Sequence, residues 1–115
     1  MTTTAQATPI CQLADIPDGS AIEVEALVNG EMESLMVYRH GAEARAYFNV
    51  CPHAGRRLDY VPGKFLVRGG QIICAAHGAT FTADTGDCTA GPCRGDRLRA
   101  VPVAVVDGVV RLAGA

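Results

Sequence analysis

The chain has 115 residues and a mass of 12.0 kDa, with 49% hydrophobic residues, 19% charged residues and a formal charge of −2. That length suits a single domain over residues 1–115 with one modest core, and the charge excludes a broad basic nucleic-acid surface. No apolar run approaches the roughly 20 residues of a membrane span. The Thr-rich start, Met1 to Ile10, lacks the pattern of a secretory signal, so a cytoplasmic setting is expected.

The elements read as β from end to end. A first strand is expected around Cys11. Ile22, Val24, Ala26 and Val28 then alternate with Glu23, Glu25 and Leu27, the period of a half-buried strand. Asn29-Gly30 follows and predicts a tight hairpin turn, because both residues tolerate positive φ. A partner strand is expected from Met32 to Arg39, ending at His40-Gly41, with His40 solvated. Ala44, Ala46, Phe48 and Val50 supply a third alternation. Phe65–Val67, Gly69-Gly70 and Gln71–Ile73 predict another hairpin, and so do Val101–Val105, Asp107-Gly108 and Val109–Leu112. No stretch carries helical periodicity over twelve or more residues. With no Trp and 5% aromatics, the core must come from Val, Ile, Leu and Ala. Short strands between frequent turns indicate an all-β sandwich or small barrel.

Five cysteines are an odd set in a chain expected in a reducing compartment. Ligands, reactive thiols or small core residues are favoured over a disulfide framework. Two clusters stand out. Cys51-Pro52-His53 follows the strand ending at Val50, and Cys74-Ala75-Ala76-His77 follows Gln71-Ile72-Ile73. Such a set suits one tetrahedral zinc, or a [2Fe–2S] cluster with thiolates on one iron and imidazoles on the other. Zinc sites usually draw paired thiolates from one knuckle. Here each loop offers one Cys and one His, which favours the two-iron cluster.

With these motifs the sequence resembles the Rieske-type iron–sulfur proteins, whose pattern is C-x-H followed by C-x-x-H. Cys51-Pro52-His53-Ala54-Gly55 and Cys74-Ala75-Ala76-His77-Gly78 match the cluster-binding loops of that family. Phe81 with Thr85-Gly86 is similar to the strand and turn after the second loop, and Gly91-Pro92 to the proline loop that covers the cluster. The resemblance runs from about Ile10 to Leu112. Twenty residues separate His53 from Cys74, a few more than ferredoxin members carry, and the extra length is assigned to the Tyr60–Gly70 hairpin.

The resemblance implies a Rieske-like antiparallel β-sandwich with a small cluster-binding subdomain of two loops. It also implies one [2Fe–2S] cluster per chain, held by Cys51, His53, Cys74 and His77, with the two histidines at an exposed tip as the electron exit. High-potential respiratory members carry an extra Cys in each loop, where this chain has Arg56 and Ala76, and a membrane anchor. They also place Ser and Tyr hydroxyls near the cluster, where this chain has Ala79 and Phe81. The soluble ferredoxin components of ring-hydroxylating dioxygenase systems are the better match. Membership there implies a monomeric one-electron carrier with no catalysis of its own, passing electrons from a flavin-dependent reductase to a terminal oxygenase. An accessory subunit similar to the small subunit of nitrite reductase and a zinc-stabilised interaction module are the competing readings.

The remaining groups admit plainer roles. Cys11 reads as a small buried residue. Cys88 and Cys93 bracket Thr89-Ala90-Gly91-Pro92 and could form a local disulfide, but in a reducing compartment two packed thiols are favoured. Residues 1–50 carry seven acidic and two basic side chains, whereas residues 51–115 carry five and eight. Arg56, Arg57, Arg94, Arg97 and Arg99 are thus either ordinary solvated charge or a basic collar that steers an acidic partner.

Overall fold

Three antiparallel sheets carry the described residues, which in this computed structural model are 8–52, 57–61, 63–74, 78–91 and 95–113. The strands are β1 (Pro9–Gln12), β2 (Ala21–Val28), β3 (Glu31–His40), β4 (Glu43–Phe48), β5 (Leu66–Arg68) and β6 (Gln71–Ile73). They continue with β7 (Thr80–Thr82), β8 (Cys88–Ala90), β9 (Ala100–Val101), β10 (Val103–Val106) and β11 (Val109–Leu112). Apart from one 3₁₀ turn at Leu13–Asp15, no helix interrupts them among the described residues. None is long and apolar enough to cross a membrane.

The strand orders are β1-β11-β10, β2-β3-β4-β9 and β5-β6-β7-β8. The long β2–β3 hairpin pairs without interruption from Ala21 opposite Tyr38 to Val28 opposite Glu31. Its turn takes the left-handed backbone that Asn29-Gly30 promised, with φ of 54° and 84°.

The sheet containing β3 separates two apolar clusters. On one face Leu35, Val37, Ala44 and Ala46 pack with Ile16, Val101 and Val110, against the sheet of β1, β10 and β11. On the other, Met36, Tyr38 and Tyr47 pack with Ile72, Phe81, Ala83 and Leu98 of the third sheet and its connections. This double burial explains why Leu35-Met36-Val37-Tyr38 is a continuous apolar run, since both faces of the strand are covered. The Tyr47 hydroxyl donates to the Ala83 carbonyl at 2.6 Å and joins this sheet to the turn between β7 and β8. Burial pushes the Tyr47 hydroxyl up to about 12.

One expected alternation ends early. Strand β4 stops at Phe48, where the Val50 amide bonds back to the Phe48 carbonyl at 2.8 Å. Asn49 still bonds Ser34 through its backbone amide and keeps to the Tyr47 side of the sheet, where it is buried; past the turn Val50 is 45% exposed and does not continue the Ala46–Phe48 face. His40 is exposed, as expected. Cys11 is only partly buried against the first cluster. Burial, and then Asp15, hold its thiol above the usual range.

Candidate metal centre

Cys51 lies just past β4 and Cys74 just past β6, and both have zero exposure in the same buried cluster. Neither is in a disulfide. Tertiary structure thus brings together one cysteine from each sequence motif, in surroundings that exclude water. His53 and His77 lie outside the described residues, and among those described no three His, Cys, Asp or Glu side chains form a metal-sized group.

The base of the second loop is closed by backbone. Cys74 donates to the Ala79 carbonyl at 2.8 Å, and Gly78 donates to the Cys74 carbonyl at 2.9 Å. The chain then enters β7, which places Ala79 and Phe81 in the buried cluster with both cysteines. Gly91, at the start of the proline loop, abuts this base. A Cβ there would sit 2.9 Å from the Ala79 Cα and 3.1 Å from the Gly78 carbonyl oxygen. Only glycine allows that approach.

Side chains close the base of the first loop, and of these the sequence had singled out Arg57 alone, as part of the basic collar. Asn49 is 2% exposed, and its Oδ1 accepts from the Leu58 amide at 2.9 Å. Its Nδ2 donates to the Ser34 hydroxyl at 3.1 Å and to Asp59 at 3.3 Å. Ser34 in turn donates to Glu23 at 2.6 Å. Arg57 bridges the acids, at 2.9 Å from Glu23 and 2.7 Å from Asp59. Asp59 also accepts from the Gly63 amide. Burial alone would raise the Asp59 carboxyl, but the hydrogen bonds from Arg57, Gly63 and Asn49 outweigh it and hold the group below its usual range. Hydrogen bonds from Ser34 and Arg57 do the same for Glu23. The available signal was a polar Asn directly before the Val-Cys that opens the first motif.

Two expectations change. Cys88 is disulfide-bonded, its partner lying outside the described residues, so the favoured reading of a packed free thiol is wrong at Cys88. The reducing-compartment argument was a statement about redox surroundings and carried no geometry; proximity in the fold decides pairing. The described arginines of the suggested collar are also engaged. Arg57 faces two carboxylates, Arg97 pairs with Asp87 at 2.7 Å, and Arg99 stacks over Phe48 at 4.6 Å. Arg57 and Arg97 thus meet carboxylates within the molecule, whereas Arg99 is held by a ring. Arg56 and Arg94 lie outside the described residues.

The chain belongs to the Rieske [2Fe–2S] domain family, whose model matches residues 6–106. The structure is similar to the ferredoxin of Sphingomonas yanoikuyae B1, at 30% identity and a TM-score of 0.71, over 92% of this chain and 96% of that one. The ferredoxin of carbazole 1,9a-dioxygenase from Nocardioides aromaticivorans IC177 is 29% identical with a TM-score of 0.73, over 96% and 99% of the two chains. A chain in the complex of reduced oxygenase and oxidized ferredoxin in carbazole 1,9a-dioxygenase is 28% identical with a TM-score of 0.74, over 95% and 94%. No curated protein matches the chain by sequence. Membership implies one [2Fe–2S] cluster per chain. Two fully buried thiols on separate loops fit the sulfur half of its donor set.

Proposed function

We propose that this protein is a soluble one-electron carrier that accepts electrons from a flavin-dependent reductase and delivers them to a terminal oxygenase. Cys51, Cys74, His53 and His77 are the residues we assign to the cluster. When bound, the iron pair supplies reversible one-electron redox chemistry. The protein's part is to hold the thiols dry, to set their hydrogen bonding and to present the cluster end to a partner. The observation that carries this reading is the convergence of Cys51 and Cys74 in one water-free cluster, within a chain that matches free-standing ferredoxins over nearly their whole length.

The carrier acts as a monomer, with neither nucleic acid nor membrane as partner. We assign it to the cytoplasm, where Cys51 and Cys74 stay available to iron as thiols; the Cys88 disulfide is the feature at odds with that compartment.

Anaerobic reconstitution with iron and sulfide tests the assignment. The expected product has two irons and two sulfides per chain and, once reduced, an electron paramagnetic resonance signal with average g below the free-electron value. Replacing any of Cys51, His53, Cys74 or His77 by Ala should abolish that signal. A protein that binds only zinc and stays silent would overturn the reading. Obligate co-purification with a large enzyme would turn it towards an accessory subunit.

A further inference from the structure

The first cluster loop leaves β4 and returns to described structure at Arg57. The two ends of this excursion are joined to each other by side chains rather than by a backbone ladder. Asn49 stands immediately before Val50-Cys51, and Leu58 and Asp59 stand immediately after the return. The Asn49 carboxamide holds both, accepting from the Leu58 amide and donating to Asp59. Its second amide proton goes to Ser34 of β3, while its own backbone amide donates to the Ser34 carbonyl at 2.9 Å. Asn49 is therefore anchored to the central sheet through two separate bonds to one residue.

The rest of the network stiffens the return. Asp59, whose side chain is 1% exposed, accepts from Asn49, Arg57 and Gly63. Arg57 reaches across to Glu23 of β2, and Glu23 is tied to Ser34. The circuit Ser34–Asn49–Asp59–Arg57–Glu23–Ser34 closes on itself. Among the described residues no buried side-chain nitrogen or oxygen lacks a partner. Such a fully satisfied network in a low-dielectric site has one favoured arrangement.

We propose that this circuit is the positioning device for the first cluster loop, with Asn49 and Asp59 as positioning residues that hold Cys51 at the cluster. The proposal rests on the reading of Cys51 as a ligand. The base of the second loop is instead closed by backbone bonds between Cys74, Gly78 and Ala79. Among the described residues the two cysteines are thus held by different means, side chains at the first loop and backbone at the second.

Cluster retention in the reconstituted protein is the test, followed as bleaching of the visible spectrum under a ferrous chelator. Groups that orient a metal ligand typically account for 10–100-fold in metal affinity. Asn49→Ala should speed cluster loss by about tenfold or more and alter the g values of the reduced protein. Arg57→Met changes a half-exposed side chain and leaves Asp59 the bonds from Asn49 and Gly63. It should speed loss several-fold even if the Asn49 variant does not fold. Val110→Ala, in the opposite apolar cluster, serves as the matched control: it lowers thermal stability but should leave cluster loss and g values unchanged. Equal loss rates in wild type and Arg57→Met, or equal acceleration by Val110→Ala, would overturn the proposal. A wild-type protein that takes up no Rieske cluster would instead overturn the functional reading on which it rests.

Discussion

Ala79 and Phe81 are the residues at which the expected potential can be tested. Both are fully buried in the cluster that contains Cys51 and Cys74, and neither carries a hydroxyl. Hydrogen bonds to a cluster's sulfurs favour the more negative reduced state, so with no hydroxyl at these two positions the expected midpoint lies in the lower part of the roughly −150 to +300 mV span of Rieske centres. Phe81→Tyr should raise it. A hydrogen bond worth about 1 kcal/mol more in the reduced state corresponds to roughly 40 mV for one electron. Voltammetry of the two proteins side by side measures the shift, and an unchanged or lower potential in the variant would contradict the assignment. The hydroxyl-free side chains were legible in the sequence because they lie at fixed offsets from the second motif. Asn49 was not, because its importance comes from partners on separate elements, Ser34 of β3 and Leu58 and Asp59 beyond the loop.

Among the elements, the contact between the proline loop and the base of the second cluster loop is the most constrained. Gly91→Ala would combine a φ of +92° with a Cβ 2.9 Å from the Ala79 Cα, against backbone that cannot rotate away. Strain and overpacking together should cost about 2–4 kcal/mol. Gly108→Ala, at φ +76° in open space, isolates the conformational part and should cost about 1 kcal/mol. Thermal melts of the pair give the contribution of the close approach, which vanishes if the two variants melt together. The hairpins themselves were readable in advance. Asn29-Gly30 and Asp107-Gly108 turn where the local rule requires, because a two-residue loop depends on φ at two neighbouring residues and on little else. The pairing of β4 with β9 joins segments far apart in the chain and carries no local signal.

At the scale of the whole molecule, the central sheet is the common wall of both apolar clusters, and Tyr47 ties it to the cluster-bearing side. The Tyr47 hydroxyl is raised by burial from its ordinary value near 10 to about 12. A group raised on folding lends stability that is fully present below its unfolded value and is lost as pH rises through the folded one. Stability should therefore fall between about pH 10 and 12, where the unfolded tyrosine ionises while folded Tyr47 still holds its proton and donates to Ala83. Denaturant titrations across that window should show a steeper alkaline decline for wild type than for Tyr47→Phe. Parallel curves would show that this hydroxyl does not link folding to pH.

The five cysteines illustrate where sequence sufficed and where it did not. Two motifs of one Cys and one His each, at strand ends, were enough to propose a donor set, because ligand chemistry depends on residue type and short spacing. Composition also sufficed to exclude a broad basic surface, since net charge is a sum over residues and needs no fold. The disulfide at Cys88, the burial of Asn49 and the circuit that joins Glu23 to Asp59 were decided only in three dimensions. Each depends on side chains from separate elements meeting at hydrogen-bonding or bonding distance. That meeting is a property of how the sheets pack, and no single segment carries it.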